Sequence, residues 1–171
     1  MDKTLEDILT RRSVRKFQDR TVAKENVVRL LNAGMAAPTA ANRRPWHFYV
    51  VTGKPVLSKL AQANPYGSFI AKAPLAIVVC GDLNKALEGD EQAMWVQDAS
   101  AASENILLAA HALELGGVWT ALYPLKERCD AVKQALSLPN HLVPFCTLAI
   151  GYPDQTPVTK DKYDDSCITW L

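Results

Sequence analysis

The sequence predicts an α+β fold, a mixed sheet sandwiched by helices, on three observations. Three apolar runs, Phe48-Tyr49-Val50-Val51, Leu75 to Cys80 and Cys146 to Ile150, have the length and continuity of strands covered on both faces. A helical period holds from about Gln92 to Leu115. Helices and strands also intermix without the strict β-α-β alternation of a parallel, doubly wound sheet.

In chain order, Leu5, Ile8 and Leu9 follow Thr4 at helical spacing, and Thr4-Leu5-Glu6-Asp7 has an N-cap pattern, so a first helix is expected to run to about Arg12. Val27, Leu30, Leu31, Gly34 and Met35 trace one face of a second helix. It must stop near Ala37, because Pro38 disfavours helical geometry in the residue before it. A polar loop, Thr39 to Arg44, leads into the first strand. The long helix carries Ala99, Ala102, Ile106, Ala109, Ala110 and Leu113 on its apolar face, with Gly116-Gly117 as its stop. Its small residues, Ala99 to Ser103, admit close approach of another helix, within the subunit or across a dimer. Val118 to Leu122 reads as a short strand and Glu127 to Ser137 as a helix. Tyr152 to Leu171 reads as a tail with Pro153 and Pro157 and no helical period. Ending Ile168-Thr169-Trp170-Leu171, it is too apolar to lie in solvent and is expected to dock, with a partner subunit as the candidate surface.

A chain of 171 residues fits a single domain, 1–171, and needs no covalent staples. Its 19 basic residues nearly balance 18 acidic ones, which argues against a general nucleic-acid or membrane-surface footprint. No stretch approaches the ~18 apolar residues of a membrane span, so the cytoplasm is the expected location. Cys80, Cys129, Cys146 and Cys167 form no C-x-x-C pair and read as reduced and mostly structural.

Much chemistry is missing. There is no H-E-x-x-H or clustered ligand spacing for a metal, no G-x-S-x-G elbow, no G-x-G-x-x-G and no Walker pattern. His47, His111 and His141 lie far apart, and Asp98 and Glu104 are six positions apart, so they do not share a helix face. No acid and base pair emerges, and no catalytic side chain or metal site is expected. What stands out is Arg11-Arg12-Ser13-Val14-Arg15, three fixed positive charges and a hydroxyl at the exit of the first helix. Guanidinium forks match phosphate oxygens in pairs, although such arginines also serve simply to solvate a helix end. An anion site without nucleophile or base suits a protein whose reactivity belongs to a bound cofactor, the polypeptide supplying phosphate anchoring, orientation and electrostatics.

Nearly end to end, the chain resembles the FMN-dependent nitroreductase family. Arg11 to Arg15 resembles its first flavin-binding motif. Ala37-Pro38-Thr39-Ala40-Ala41-Asn42-Arg43-Arg44-Pro45-Trp46-His47-Phe48 resembles the second, a proline-serine-small-x-asparagine loop leading into a strand. Trp95 to Ala102, Gly116 to Pro124, and Gly151-Tyr152-Pro153 followed by Lys160-Asp161-Lys162 are similar too, and their order and spacing together are specific. The resemblance implies a three-layer α/β/α sandwich with a mixed, mostly antiparallel sheet. It also implies a homodimer with two FMN sites in the interface, residues 152–171 forming an arm on the partner.

Mapped onto this sequence, the resemblance puts Arg11, Lys160 and Lys162 on the FMN phosphate, with Arg12 beside them, and Ser13 and Arg15 at the pyrimidine edge. Pro38, Thr39, Ala40 and Asn42 would come from the opposite subunit, and backbone around Leu122 and Tyr123 would approach flavin N5. A cation near the pyrimidine tunes the flavin potential, and an asparagine amide can donate and accept at once. Arg44 stands where the family commonly has glutamine, Thr39 where it has serine and Ala121 where glycine is frequent. Arg44 either favours an anionic substrate or the phosphates of NADPH, or points to solvent. The implied activity is a ping-pong oxidoreductase: NADH or NADPH reduces FMN, leaves, and is replaced by a nitroaromatic or quinone-type acceptor in the same open pocket. The alternatives are a flavin enzyme of a specialised reductive or biosynthetic step, and a flavin-binding carrier or sensor without significant turnover. A nucleic-acid grip lacks the wider basic field it needs.

Overall fold

The computed structural model describes residues 2–171. The three apolar runs lie within β1 (Trp46–Val51), β2 (Leu75–Asp82) and β4 (Leu142–Gly151), and β3 (Gly116–Ala121) joins them in one sheet of order β1-β2-β4-β3. All neighbouring strands are antiparallel: Val78 faces Tyr49 on β1 and Thr147 on β4, and Val118 faces Ala149. Among the described residues the parallel element of the expected mixed sheet is the isolated bridge between Ser13 and Gly117. Continuous apolarity is explained by position. β2 is buried along its whole length between two strands and two helical layers, whereas the edge strand β1 leaves His47 and Val50 exposed.

Successive side chains of a strand point to opposite faces, so the central strands feed two cores. Ile77, Val79 and Leu148 pack with Leu30 and Ile106, beneath α2 (Lys24–Met35) and α4 (Trp95–Ala112). Val78, Cys80 and Ala149 pack with Leu57, Leu60 and Val132, beneath α3 (Lys54–Gln62) and α5 (Lys126–Leu136). The result is the three-layer α/β/α sandwich. In contrast, α1 (Lys3–Thr10) buries no residue, and Leu5, Ile8 and Leu9 are each about half exposed.

Several boundaries differ from expectation. Asp2, not Thr4, caps α1, its carboxylate accepting from the Thr4 N–H at 3.1 Å. Helix α3 was not anticipated: it is nine residues long and presents only Leu57 and Leu60 to the core, too few apolar positions for a clear period. The segment before α4, Gly89–Met94, is a 3₁₀ turn, so the helix proper starts at Trp95. The Gly116-Gly117 pair does not stop α4. Glu114 (φ 59) makes the left-handed exit, and the glycines open β3, where a Cβ on Gly116 would sit 2.6 Å from the Val14 side chain. No helix among the described residues is long and apolar enough to cross a membrane.

Candidate functional site

Arg11 to Arg15 runs from the end of α1 to the start of β3. Helix α1 ends because Arg11 turns extended (φ −54, ψ 131), and the Val14 N–H then donates to Gly117 O at 3.0 Å, which seats Val14 in the core and leaves its neighbours facing outward. Arg11 Nε pairs with Glu104 Oε1 of α4 at 3.1 Å. Its two Nη nitrogens carry no partner among the described residues. Arg15 and Lys16 both donate their N–H groups to Gln155 Oε1, at 3.0 and 2.9 Å, and the Arg15 guanidinium lies 5.9 Å from the Phe69 ring centre.

The arm, residues 152–171, brings the distant lysines to this segment. Gln18 N–H donates to Tyr152 O at 2.9 Å and Asp154 N–H to Lys16 O at 2.9 Å, so the chain leaving β4 is zipped to residues 16–18. Six residues beyond Asp154, Arg12 Nη2 donates to Lys160 O at 2.8 Å. Arg11, Arg12, Lys160 and Lys162 consequently line one cleft of about 620 Å³, walled by Ile8 and Leu9 of α1. Asp161 is also in its wall and accepts the Tyr163 N–H at 2.9 Å. Four cations against one carboxylate in a partly apolar cleft is a setting in which a polyanion replaces water favourably.

The second motif is fixed differently. Pro38 is exposed, and Thr39 Oγ1 accepts the Arg44 N–H at 3.1 Å. The Ala40 N–H donates to Asp98 Oδ1 at 3.0 Å, and Ala41 (φ 48), Asn42 (φ 53) and Arg44 (φ 50) all take left-handed backbone. Asp98, buried on α4, thus holds the loop open against strain. Asn42, Arg43 and Arg44 line a separate depression of about 670 Å³ with Trp46, His47 and Lys85. Within one chain the two motifs do not meet. Their anchors on α4, Asp98 and Glu104, stand six residues apart, roughly 9 Å of rise and about 120° of rotation.

The Leu122 and Tyr123 N–H groups both donate to Phe145 O at 3.1 Å, so neither is free for a ligand. Leu122 is buried, and what this segment offers outward is the Tyr123 ring, edge-on to Trp95 at 4.9 Å. Sequence reasoning set Asp98 and Glu104 aside because they do not share a helix face, and did not single out Gln155. Asp98 had a signal, an acid amid the apolar and small residues Trp95, Ala99 and Ala102, whereas a half-buried glutamate and a glutamine in a tail had none. Burial pushes the Cys80 thiol up to about 12 and raises Cys146 and Cys129 as well, so these three are packing groups; Cys167 is exposed. Among the described residues no cluster of His, Cys, Asp or Glu suits a metal ion.

The profile of the Nitroreductase family matches residues 8–152. A candidate NADH dehydrogenase/NAD(P)H nitroreductase of Methanothermobacter thermautotrophicus is 48% identical over 94% of this chain and 82% of its own. The crystal structure of a Parabacteroides distasonis protein described in the same terms superposes with a TM-score of 0.94, at 44% identity, covering 99% of this chain and 98% of that one. A candidate nitroreductase from Desulfovibrio desulfuricans, solved in complex with FMN, has a TM-score of 0.87 at 31% identity, covering 100% and 98%. By this match over residues 8–152 and the identity to its relatives, the chain belongs to the Nitroreductase family.

Proposed function

We propose that this protein is an FMN-dependent oxidoreductase that uses NADH or NADPH to reduce nitroaromatic or quinone-type acceptors, working as a homodimer. The observation that carries this reading is the convergence of Arg11, Lys160 and Lys162, residues near opposite ends of the chain, on one cleft. A dianionic phosphate calls for several cations at different heights, and the two unpartnered Nη groups of Arg11 with two ammonium groups fit that need. FMN, when bound, would supply the redox chemistry, hydride transfer that links the nicotinamide and the acceptor in a ping-pong cycle.

The chain's own residues bind and orient. Arg11, Lys160 and Lys162 hold the phosphate, and Ser13 and Arg15 meet the pyrimidine, where the Arg15 charge favours negative charge on the ring. Tyr123 lies at the redox edge by its ring. Pro38, Thr39, Ala40 and Asn42 are supplied by the second copy, because in a lone chain their loop attaches to a different face of α4 from the cationic cleft. The half-exposed apolar side chains of α1, together with Trp170 at 85% exposure, support such a partner: they are surface a monomer has no reason to leave wet. The same reading puts the protein in the cytoplasm, where reduced nicotinamides circulate and thiols stay free.

An absorption spectrum of the purified protein tests the cofactor, with flavin bands expected near ~450 nm that NADH or NADPH bleaches and a quinone restores. Protein that takes up no FMN overturns the reading. An FMN-loaded dimer that neither nicotinamide bleaches would instead make it a carrier.

A further inference from the structure

Each side chain of the Arg11-Arg12 pair has a different task. Arg12 Nη1 donates to Leu9 O and to Arg11 O, both at 2.7 Å, and Nη2 donates to Lys160 O at 2.8 Å. Leu9 O belongs to the last turn of α1, one of the carbonyls a helix end leaves without a partner. A guanidinium fork suits this work, because its donors diverge in a plane and reach two chain segments at once. Past Gln155, the Arg12–Lys160 contact is the one hydrogen bond that ties the arm to the rest of the chain among the described residues; the others in that stretch run within the arm.

We propose that Arg12 is a positioning residue rather than a phosphate ligand: it clips the arm at Lys160 O to the end of α1 and thereby sets the Lys160 and Lys162 ammonium groups opposite Arg11. This rests on the reading that these three cations hold the FMN phosphate. Without the clip the lysines belong to a strand of chain free to swing from Gln155 onward, and the ordering cost of bringing them back falls on every binding event. The geometry also explains why two adjacent arginines sit here. Residue 11, extended, lines the cleft and pairs through Nε with Glu104, and residue 12 points back along α1.

The test titrates FMN and riboflavin, which lacks the phosphate, against the full-length flavin-free chain. Arg12→Ala is expected to weaken FMN binding by about 10- to 100-fold while riboflavin binding stays at the wild-type value. Arg12→Lys, a point charge without the fork, is expected to rescue little. In a Lys160→Gln/Lys162→Gln background, adding Arg12→Ala is expected to change FMN affinity by less than about threefold, because the groups it positions are gone. Trypsin is expected to cut after Lys160 and Lys162 faster in Arg12→Ala than in the wild type. Full additivity with the lysine variant would make Arg12 a direct phosphate ligand and overturn the proposal. Equal loss of FMN and riboflavin, or no loss of either, would overturn it too. Wild-type FMN binding by the lysine variant alone would instead overturn the phosphate reading itself, and this inference with it.

Discussion

From Leu75 to Asp82 every residue of the chain is buried, and from Val158 to Leu171 every residue is exposed, although both stretches carry large apolar side chains. In β2 the residues from Ala76 to Gly81 are paired on both sides, to β1 and β4, and the strand is covered by helices on both faces. The arm has Gln155 pinning the N–H groups of Arg15 and Lys16, then the Arg12 clip, then only turns of its own, such as Asp164 accepting from Ser166. The body is shaped by what its residues exclude from water. The arm is shaped by a few hydrogen bonds and leaves Val158, Tyr163 and Trp170 more than two-thirds exposed. A segment of that kind is finished by something outside the chain, and in the proposed function that is a second copy and a cofactor.

The sharpest way to break this contrast is to remove residues 156–171, which keeps Gln155 and its grip on Arg15. Loss of Lys160 and Lys162 is expected to weaken FMN binding on the order of 100- to 10,000-fold by fluorescence titration, two charge-assisted contacts together. Sedimentation is expected to show monomer. The urea transition of the dilute body is expected to stay cooperative with its midpoint nearly unchanged. A shortened chain that no longer unfolds cooperatively would mean that the arm belongs to the body. The complementary change is Leu148→Ala, fully buried in β4, expected to cost about 2–5 kcal/mol in urea unfolding at any protein concentration. Trp170→Ala is expected to lower stability only as far as it loosens a dimer, so its effect should vanish on dilution.

The same contrast explains what was legible. β1, β2 and β4 announced themselves because burial on both faces demands an unbroken apolar run, and α4 because eighteen residues sustain a period. Helix α3 did not, since Leu57 and Leu60 alone face the core. Gly116-Gly117 looked like a helix stop because a glycine pair signals a turn; contact with Val14, a residue a hundred positions away, is what excludes a side chain there. In the site, Arg11, Lys160 and Lys162 were readable as charges, and the family resemblance tied them together. Arg12 was read with them by composition, yet its fork faces carbonyls, and only coordinates distinguish a cation that meets a ligand from one that holds the chain. Asp98 acts through a single contact across 58 positions and Gln155 through two adjacent ones across 140 and 139, which leave no periodic trace.

Asp98 sharpens the contrast within the site itself. Replacing it by alanine leaves the Ala40 N–H without its carboxylate, beside three residues in left-handed backbone. A loss of about 1–3 kcal/mol is expected in urea unfolding, with faster hydrogen exchange at Ala40 and no change in cleavage of the arm. Faster proteolysis at Lys160 in Asp98→Ala would show that the two motifs are coupled inside one chain, against the reading that a second copy joins them.

The smallest effect reads the body and the arm in one measurement. Thiolate is the reacting form, and with Cys80 pushed up to about 12, roughly one molecule in 10,000 carries it at pH 8. Cys146 and Cys129 are raised by burial in the same direction and are shielded as well, so a thiol reagent is expected to label one cysteine per native chain, Cys167, and all four in guanidinium. Because Cys167 precedes Ile168 and Trp170, an arm docked on a second copy covers it. Its labelling rate is then expected to fall by about 2- to 10-fold as protein concentration passes through the dimer dissociation range, while the three buried thiols stay silent throughout. A rate independent of concentration, in protein shown by sedimentation to dimerise over that range, would place this end of the arm in solvent and restrict its docking to the stretch before Cys167.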